Sequence, residues 1–412
     1  MKNYGFIPAD ILLPANADMT KWSCVACDQY TSEPDYWESV ENIVGDSVST
    51  LRLMLPEIYL DQADKRFDQI TGTMKKYIED GIFKEIKNSF VFVERTLANG
   101  KIRYGLVGAI DLEIYDFCEG TKSLCRPTEA TVTSRLPARV KVRSKAILEM
   151  PHIMMLIDDP QKTVIQPFAE LTGRLEKLYD FKLMMNSGYI KGYRVNGRYA
   201  DYALKAIEKL YIDSCENDPM LFAMGDGNHS LAAAKLYYEQ LKEKYGQKAI
   251  NHPARYALVE LVNLHDSALE FEPIHRVLFD VDTEKFMKEF NNCCGLKSGQ
   301  HAGQTFTVVI NGNESKYTFT SPKSSVTVGN IQNFIDDYVL KYGGKTDYIH
   351  GDDVVRSLAS VPDRIGFLVD GISKDSFFDV IKSDGILPRK TFSMGHAQDK
   401  RFYLECRLIN RL

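Results

Sequence analysis

The residues best suited to chemistry in this sequence lie in one short stretch. Asp226, Asn228, His229 and Ser230 place a carboxylate, an amide, an imidazole and a hydroxyl next to one another around Gly227. Groups of these types can orient an alcohol, donate to phosphate oxygens or hold a divalent cation. A helix cap would need only one of them. The pattern therefore favours a functional turn, and phosphate chemistry is the first prediction.

The elements around this stretch predict how its side chains are positioned. The apolar run 220–224 is typical of a buried strand, and the alanine-rich run 230–240 has helical periodicity. Two glycines between the runs allow a sharp turn. Backbone N–H groups and the positive end of the helix dipole make such a helix start an anion site. The alternative is that Asp226 or Asn228 simply caps the helix.

The stretch also resembles a known motif. Asp226-Gly-Asn-His-Ser230, followed by three alanines, resembles the Asp-Gly-His-His-Arg-x-x-Ala-Ala motif of the ParB and sulfiredoxin-like superfamily. That superfamily includes free-serine kinases and a large bacterial domain family of unknown function. Asn228 stands in place of the first motif histidine and Ser230 in place of the arginine. Because that arginine is an obvious phosphate ligand, its charge has to come from elsewhere in this chain.

Two further stretches indicate the bacterial family of unknown function. Arg126-Pro-Thr-Glu129 resembles its Arg-Pro-x-Glu motif, and Pro273-Ile-His-Arg276 resembles its Pro-Thr-His-Arg motif. The resemblance implies an α+β fold with a ParB or sulfiredoxin-like mixed-sheet catalytic region, to which this chain adds a C-terminal α/β unit. The expected boundaries are an N-terminal extended segment and helix at 1–87, the catalytic domain at 88–280 and the C-terminal domain at 281–412.

The resemblance and the residue types together give a set of expected site residues. The expected catalytic residues are Asp226, His229 and Glu129, and either acid is a candidate base. The expected phosphate and donor ligands are Arg126, Thr128, Gly227, Asn228, Ser230, His275 and Arg276. Further substrate-binding candidates are Asp28 and Lys21 in the early loop-rich segment, and His396, Lys400 and Arg401 in a basic loop that suits either an anion lid or a solvent-exposed loop. Mg²⁺, held by Asp226 and Glu129, is the expected cofactor.

The predicted activity is transfer of a phosphoryl group between a donor and a small hydroxylated metabolite. Free serine is the acceptor that the resemblance implies, and pyrophosphate, ADP or ATP is the donor. No Walker A pattern is present in the sequence. The alternatives are a nucleotide-binding ParB-like switch or binding protein without kinase activity, and a phosphatase of a small phosphorylated metabolite. A sulfiredoxin-like reductase is set aside because Asn228 stands where that chemistry needs a cysteine.

Composition narrows the partners further. The 412 residues carry 51 basic and 56 acidic side chains, a net charge of −5, which argues against a nucleic-acid surface. The sequence does not begin with charged residues followed by an apolar core, as a signal peptide would, and it contains no apolar run long enough for a membrane span. A cytoplasmic location is therefore expected. A lone C-x-x-C pair, Cys24 and Cys27, is weak evidence for a redox or metal role. The sequence does not indicate an oligomeric state.

Periodicity predicts several elements around these motifs. Residues 1–57 read as irregular and 58–83 as a helix. Strands at 90–96 and 103–110 form a hairpin about Asn99-Gly100, and 112–117 continues the sheet. Further on, a hairpin about 311–313 and a helix at 328–342 are followed by alternating strands and helices, ending in a strand at 402–409.

Overall fold

A computed structural model describes residues 4–131, 133–214 and 218–410. The chain forms two compact units. The first comprises 1–127, 131–269 and 396–412, and the second comprises 128–130 and 270–395. The three segments expected from the sequence stay predictions. The predicted N-terminal segment shares a unit with most of the predicted catalytic domain, and the end of the chain returns to that same unit.

The strands are numbered in chain order. They are β1 Phe6–Ile7, β2 Ala9–Pro14, β3 Cys24–Val25, β4 Phe83–Thr96, β5 Ile102–Asp111, β6 Cys125–Arg126, β7 Leu148–Glu149, β8 Met154–Ile157, β9 Glu176–Lys182, β10 Tyr189–Val195, β11 Phe222–Asp226, β12 Tyr256–Asn263, β13 Phe271–Pro273, β14 His275–Phe279, β15 Leu296–Ser298, β16 Thr305–Ile310, β17 Asn313–Phe319, β18 Lys345–Ile349, β19 Arg364–Val369, β20 Phe392–Met394, β21 Phe402–Tyr403 and β22 Arg407–Leu408.

The α-helices are numbered in the same way. They are α1 Met19–Trp22, α2 Pro34–Val44, α3 Ala63–Glu79, α4 Leu136–Lys145, α5 Arg198–Ser214, α6 Asn228–Tyr245, α7 Thr283–Cys294, α8 Thr327–Tyr342, α9 Asp352–Leu358 and α10 Lys374–Asp384. Short 3₁₀ turns join several of them. In the described part of the chain, no helix is long and apolar enough to cross a membrane.

The first unit is built on one large mixed sheet with the strand order β6-β11-β8-β12-β5-β4-β10-β9, to which β1 adds on β5 and β2 on β4. Most neighbours are antiparallel, whereas β11 with β6 and β12 with β8 are parallel. The predicted α+β class with a large mixed sheet is thus confirmed, and the ParB or sulfiredoxin-like assignment stays a prediction. The predicted hairpin is also confirmed as β4 and β5.

The central strands are apolar on both faces. Phe90 and Phe92 of β4 join one hydrophobic cluster, and Val91 and Val93 join another. Successive side chains of a strand point to opposite faces, so two apolar layers cover this sheet. Helices α5 and α6 contribute to the first cluster. The site turn, which lies between β11 and α6, is therefore fixed by a strand and a helix that are both embedded in the core.

Two predicted elements are wrong. Residues 1–57 are not simply irregular, since β2 pairs along β4 and α2 buries Trp37 and Val40. Residues 112–117 do not form a strand, because the Asp111 side chain accepts a hydrogen bond from the N–H of Glu113 at 3.1 Å and starts a 3₁₀ turn. Tyr115 makes a single bridge to Cys125 of β6. The predicted strand at 402–409 is present only as the short strands β21 and β22.

The second unit contains a sheet of order β15-β17-β16-β19-β14-β18 and the pair β13 with β20. The hairpin about 311–313 is confirmed as β16 and β17. Helices and strands alternate here as predicted, but the neighbouring strands of this sheet are antiparallel. Residues 128–130 join this unit through a bridge between Glu129 and Leu387.

Candidate functional site

The turn predicted as the site connects β11 to α6. Gly227 has a φ of +79° and caps the helix, which begins at Asn228. A side chain at Gly227 would bring its Cβ within 3.0 Å of the Cα of Ile153. Conformation and space therefore both require glycine. The turn presses directly against the chain at 152–153, which brings residues from a third stretch of sequence to the site.

Asp226 forms an ion pair that positions a cation at the turn. Its Oδ2 lies 3.2 Å from Nζ of Lys400, and the two side chains are 21% and 14% exposed. Its Oδ1 accepts the backbone N–H of Gly227 at 2.9 Å. Burial raises the pKa of Asp226, but the positive charge of Lys400 and the hydrogen bonds from Lys400 and the Gly227 N–H outweigh burial and lower the pKa below its usual range. Asp226 is therefore a carboxylate near neutral pH.

His152 lies under the turn and bonds through both ring nitrogens. Its Nε2 is 3.2 Å from Oγ of Ser230, and its Nδ1 is 3.0 Å from the hydroxyl of Tyr403. The Tyr403 ring meets the imidazole edge-on, with centroids 5.5 Å apart. Neither residue is among the predicted site residues, because no local pattern connects His152 with Tyr403 or with the turn.

The start of α6 has one buried side-chain atom without a hydrogen-bond partner, the amide oxygen of Asn228. Because the cap residue is a glycine, it offers no side-chain oxygen to the first-turn N–H groups. Ser230 is half-buried, and its N–H donates to the carbonyl of Gly227 at 3.0 Å. The helix start therefore combines half-buried polar side chains with a buried amide oxygen that has no partner, which suits an incoming polar ligand.

Two buried arginines fix the backbone of the segment 398–401, which contains Lys400. Arg95 donates to the carbonyl of Gln398 at 3.0 Å, and Arg103 donates to the carbonyl of Asp399 at 3.1 Å. The Asp399 side chain in turn accepts the N–H of Ala98 at 3.1 Å. The interpretation as a solvent-exposed loop is therefore wrong for 398–401, because buried groups fix its backbone and hence the place of Lys400.

Arg401 is used inside the first unit. It is 3% exposed and pairs with Glu260 and with Glu405, the latter at 2.6 Å. Burial alone would lower the pKa of Arg401, but the two carboxylates raise it overall. Its neighbour Lys400 is thus the basic residue of this segment that reaches the turn.

Arg126 is also paired within the first unit. Its guanidinium forks onto the carboxylate of Asp218, with a second contact at 3.2 Å, and Nε donates to the carbonyl of Ser123 at 3.0 Å. The side chain is 5% exposed. Its predicted use as a phosphate ligand stays a prediction, and the contacts observed here are structural.

Four predicted residues lie in the second unit. Arg276 is fully buried. Its Nε donates to Gln332 at 2.9 Å, one terminal nitrogen to the carbonyl of Ile274, and the other to the carbonyl of Arg389 at 3.1 Å. Burial lowers the pKa of Arg276 to about 10. Every guanidinium nitrogen thus already donates to the protein.

The other three residues contact partners within the same unit. His275 accepts the Val369 N–H at Nδ1 and bonds Asp352 through Nε2 at 2.9 Å. The carbonyl of Thr128 accepts the N–H of Leu387 at 2.9 Å, beside the Glu129 bridge. The predicted cooperation of Glu129 with Asp226 joins residues of two units and stays a prediction.

The remaining candidates lie in the first unit. Lys21 is in α1, whose cap Asp18 accepts its N–H at 3.4 Å. Asp28 accepts the side-chain amide of Gln29 at 3.0 Å. The carbonyl of His396 accepts the N–H of Asp399 at 2.9 Å. These contacts are local and do not test a role in substrate binding.

The described residues contain no cluster of three or more His, Cys, Asp or Glu side chains arranged to hold a metal ion. At the turn, the oxygens of Asp226 are already engaged by Lys400 and Gly227. The expected binding of Mg²⁺ by Asp226 and Glu129 stays a prediction. Cys24 and Cys27 are free thiols, and burial raises their pKa values to about 11 and about 12.

The fold and the turn together define a mixed α+β protein with a polar strand-to-helix site. Over residues 8–338 the sequence matches the family described as "Protein of unknown function (DUF1015)". The chain belongs to this family, which confirms the predicted membership in a family of unknown function. No curated protein matches the sequence.

Solved structures with a similar chain path include a free serine kinase mutant in complex with ADP, at 10% identity and a TM-score of 0.40, covering 74% of this chain and 92% of that one. A truncated SbnI from Staphylococcus aureus has 7% identity, a TM-score of 0.38 and coverage of 70% and 82%. A conserved hypothetical protein from Pyrococcus furiosus has 9% identity, a TM-score of 0.35 and coverage of 72% and 90%. At these values, function has to be argued from the residues of the chain itself.

Proposed function

We propose that this protein is a phosphotransferase that moves a phosphoryl group between a small phosphate donor and the hydroxyl of a small metabolite, with free serine as the first acceptor to test. The observation that carries the proposal is the Asp226–Lys400 pair at the start of α6, where the cap residue Gly227 has no side chain. One carboxylate, one ammonium and first-turn N–H groups are the parts that such a transfer needs.

In this proposal Lys400 and the helix start bind the donor phosphate. Lys400 supplies the positive charge that Ser230 cannot, since serine replaces the arginine of the resembled motif. A lysine is a point charge that suits a phosphate oxygen. His229, in the first turn, and Asn228, with its orphaned oxygen, add polar contacts to the donor or acceptor.

Asp226 orients the acceptor hydroxyl and takes its proton as the oxygen attacks phosphorus and the bond to the leaving phosphate breaks. Its lowered pKa makes it a weak base. Phosphoryl transfer depends mainly on positioning and electrostatics, because its transition state is loose. A carboxylate that is ionised and fixed by Lys400 and Gly227 meets that requirement better than a mobile one.

We further propose that Mg²⁺ enters with the donor, held mainly by phosphate oxygens, as is usual for this ion. In that role it neutralises donor charge. Because Asp226 is the carboxylate at the turn, it is the side chain proposed to reach the ion or its waters. Glu129, the second acid expected to hold Mg²⁺, stays a proposal on the resemblance alone.

The test is to mix the protein with serine, Mg²⁺ and, in turn, pyrophosphate, ADP and ATP, and to follow O-phosphoserine by ³¹P NMR. Lys400→Met should raise the KM of the donor roughly ten-fold or more, as expected for the loss of a charged hydrogen bond. Lys209→Met is the matched control, because Lys209 also pairs with an aspartate, at 2.6 Å, but on the exposed face of α5. Transfer that is equal in both variants contradicts the proposal.

The same assay separates the alternatives. Phosphate released from a phosphorylated metabolite, with no transfer from any donor, would favour the phosphatase. Nucleotide binding by calorimetry without turnover would favour a ParB-like binding protein. Full activity in excess EDTA would remove Mg²⁺ from the proposal and leave the roles of Asp226 and Lys400 intact.

A further inference from the structure

His152 is the group that connects the site turn to the interior of the first unit. The imidazole is 8% exposed and Tyr403 is 4% exposed. Both ring nitrogens are engaged, Nδ1 with the hydroxyl of Tyr403 at 3.0 Å and Nε2 with the hydroxyl of Ser230 at 3.2 Å. In such a chain the direction of every hydrogen bond depends on which ring nitrogen carries the proton.

The surroundings of Tyr403 fix that direction. The backbone N–H of Cys27 donates to the phenol oxygen at 3.3 Å. The single phenol proton then has two candidate acceptors, the imidazole Nδ1 and the thiol of Cys27, and a thiol sulfur is a weak acceptor. Burial raises the pKa of Tyr403 well above its usual range, so the phenol stays protonated.

The Tyr403 hydroxyl therefore donates its hydrogen bond to Nδ1 of His152. A neutral imidazole that accepts at Nδ1 carries its proton at Nε2, and that N–H donates to Oγ of Ser230. A serine hydroxyl that accepts one hydrogen bond still has its own proton to donate. The N–H of Ser230 is bonded to the carbonyl of Gly227, so the backbone of the residue is fixed as well.

We propose that Tyr403 and His152 are positioning residues that orient the Ser230 hydroxyl as a donor to an anionic phosphate oxygen at the start of α6. This inference rests on the proposed function for the identity of the anion. It assigns His152 no proton transfer. The chain runs in one direction, from the Cys27 N–H through Tyr403 and His152 to Ser230 and the ligand.

The direction can be measured on the full-length protein without any substrate. Long-range ¹H–¹⁵N correlation spectra of ¹⁵N-histidine-labelled protein distinguish the two neutral tautomers of His152, with His152→Gln used to assign the signal. We expect the Nε2–H tautomer. An Nδ1–H tautomer would mean that Ser230 donates to the ring, and it would overturn the inference.

Binding of inorganic pyrophosphate by calorimetry then tests the consequence. Tyr403→Phe keeps the ring but removes the phenol proton, and His152→Ala removes the donor to Ser230. Both should raise the Kd roughly two- to ten-fold, the size expected for one hydrogen bond, as should Ser230→Ala. His152→Gln retains an amide donor near Nε2 and should restore most of the affinity.

The matched control is Tyr238→Phe, because Tyr238 is also fully buried and its hydroxyl donates to Glu113 at 2.8 Å. Equal Kd values for the two Tyr→Phe variants would overturn the inference. So would failure of the wild-type protein to bind pyrophosphate, whatever the tautomer. Pyrophosphate binding that depends on Tyr403, without phosphoryl transfer to any acceptor, would contradict the proposed function. It would still support the positioning roles of Tyr403 and His152.

Discussion

Two regions of this protein contain the same kinds of residue and use them differently. The turn at 226–230 and the stretch at 273–276 each contain a histidine beside groups suited to phosphate. At the turn, the Asn228 oxygen has no partner and the Asp226–Lys400 pair is partly exposed. In the second stretch, Arg276 is fully buried and donates from every nitrogen. Residue type therefore predicts what a side chain can bind. A polar group without a partner in the folded chain is the one available to a ligand.

The largest effect is expected at the turn. Asp226→Asn keeps the shape but removes the charge that orients the acceptor, so kcat should fall roughly 10²- to 10⁴-fold, the range for a lost general base. Asp213→Asn is the control, because Asp213 pairs with Lys209 on the exposed face of α5. The readout is kcat with the melting temperature measured in parallel. If Asp226→Asn folds normally and keeps full turnover, the turn is only the start of a helix and takes no part in catalysis.

Arg276 should show the opposite pattern. Arg276→Lys leaves some of the acceptors on Gln332, Ile274 and Arg389 unsatisfied, so the free energy of unfolding should fall by about 2 to 3 kcal/mol. The KM of the donor should not change. Arg364→Lys is the control in the same unit, since Arg364 donates to one carbonyl at 3.3 Å. A raised KM at normal stability would return Arg276 to the phosphate ligands.

His275 sharpens the comparison through pH. Burial lowers its pKa from the ordinary value of 6.5, against the opposing effect of Asp352. Between the folded and unfolded pKa values the unfolded chain binds more protons, so stability should fall as pH drops below about 6.5, by at most about 1.4 kcal/mol per pH unit. Urea unfolding from pH 8 to 5 measures the slope.

His275→Gln should remove that part of the slope, because glutamine does not titrate. His301→Gln, at an exposed position, is the control. An unchanged slope in His275→Gln would show that the histidine is not a source of the acid sensitivity.

The smallest effect is expected at Arg126. Arg126→Lys loses the fork on the partly exposed Asp218, which should cost about 1 kcal/mol or less in the free energy of unfolding. The KM of the donor should stay within two-fold of wild type. Donor titration of this variant decides whether Arg126 binds the donor in addition to the ligands proposed at the turn.

The sequence by itself predicted the turn, because its pattern is local. An apolar run, two glycines and an alanine-rich helical run specify strand, turn and helix within a short window, and Asp226 to Ser230 lie at the predicted junction. Local hairpins were predictable for the same reason, as at 311–313. The family of unknown function was predicted from three short stretches, and the match over residues 8–338 confirms the membership.

Only the tertiary structure decided which distant side chains meet the turn. Lys400 and Tyr403 come from the end of the chain and His152 from before β8, and no spacing in the sequence connects these positions. Their places depend on buried groups such as Arg95 and Arg103, which hold the backbone at 398 and 399. Whether an arginine or histidine can still bind a ligand likewise depends on its burial and on its hydrogen-bond partners. Burial and partners are fixed only when the chain is folded.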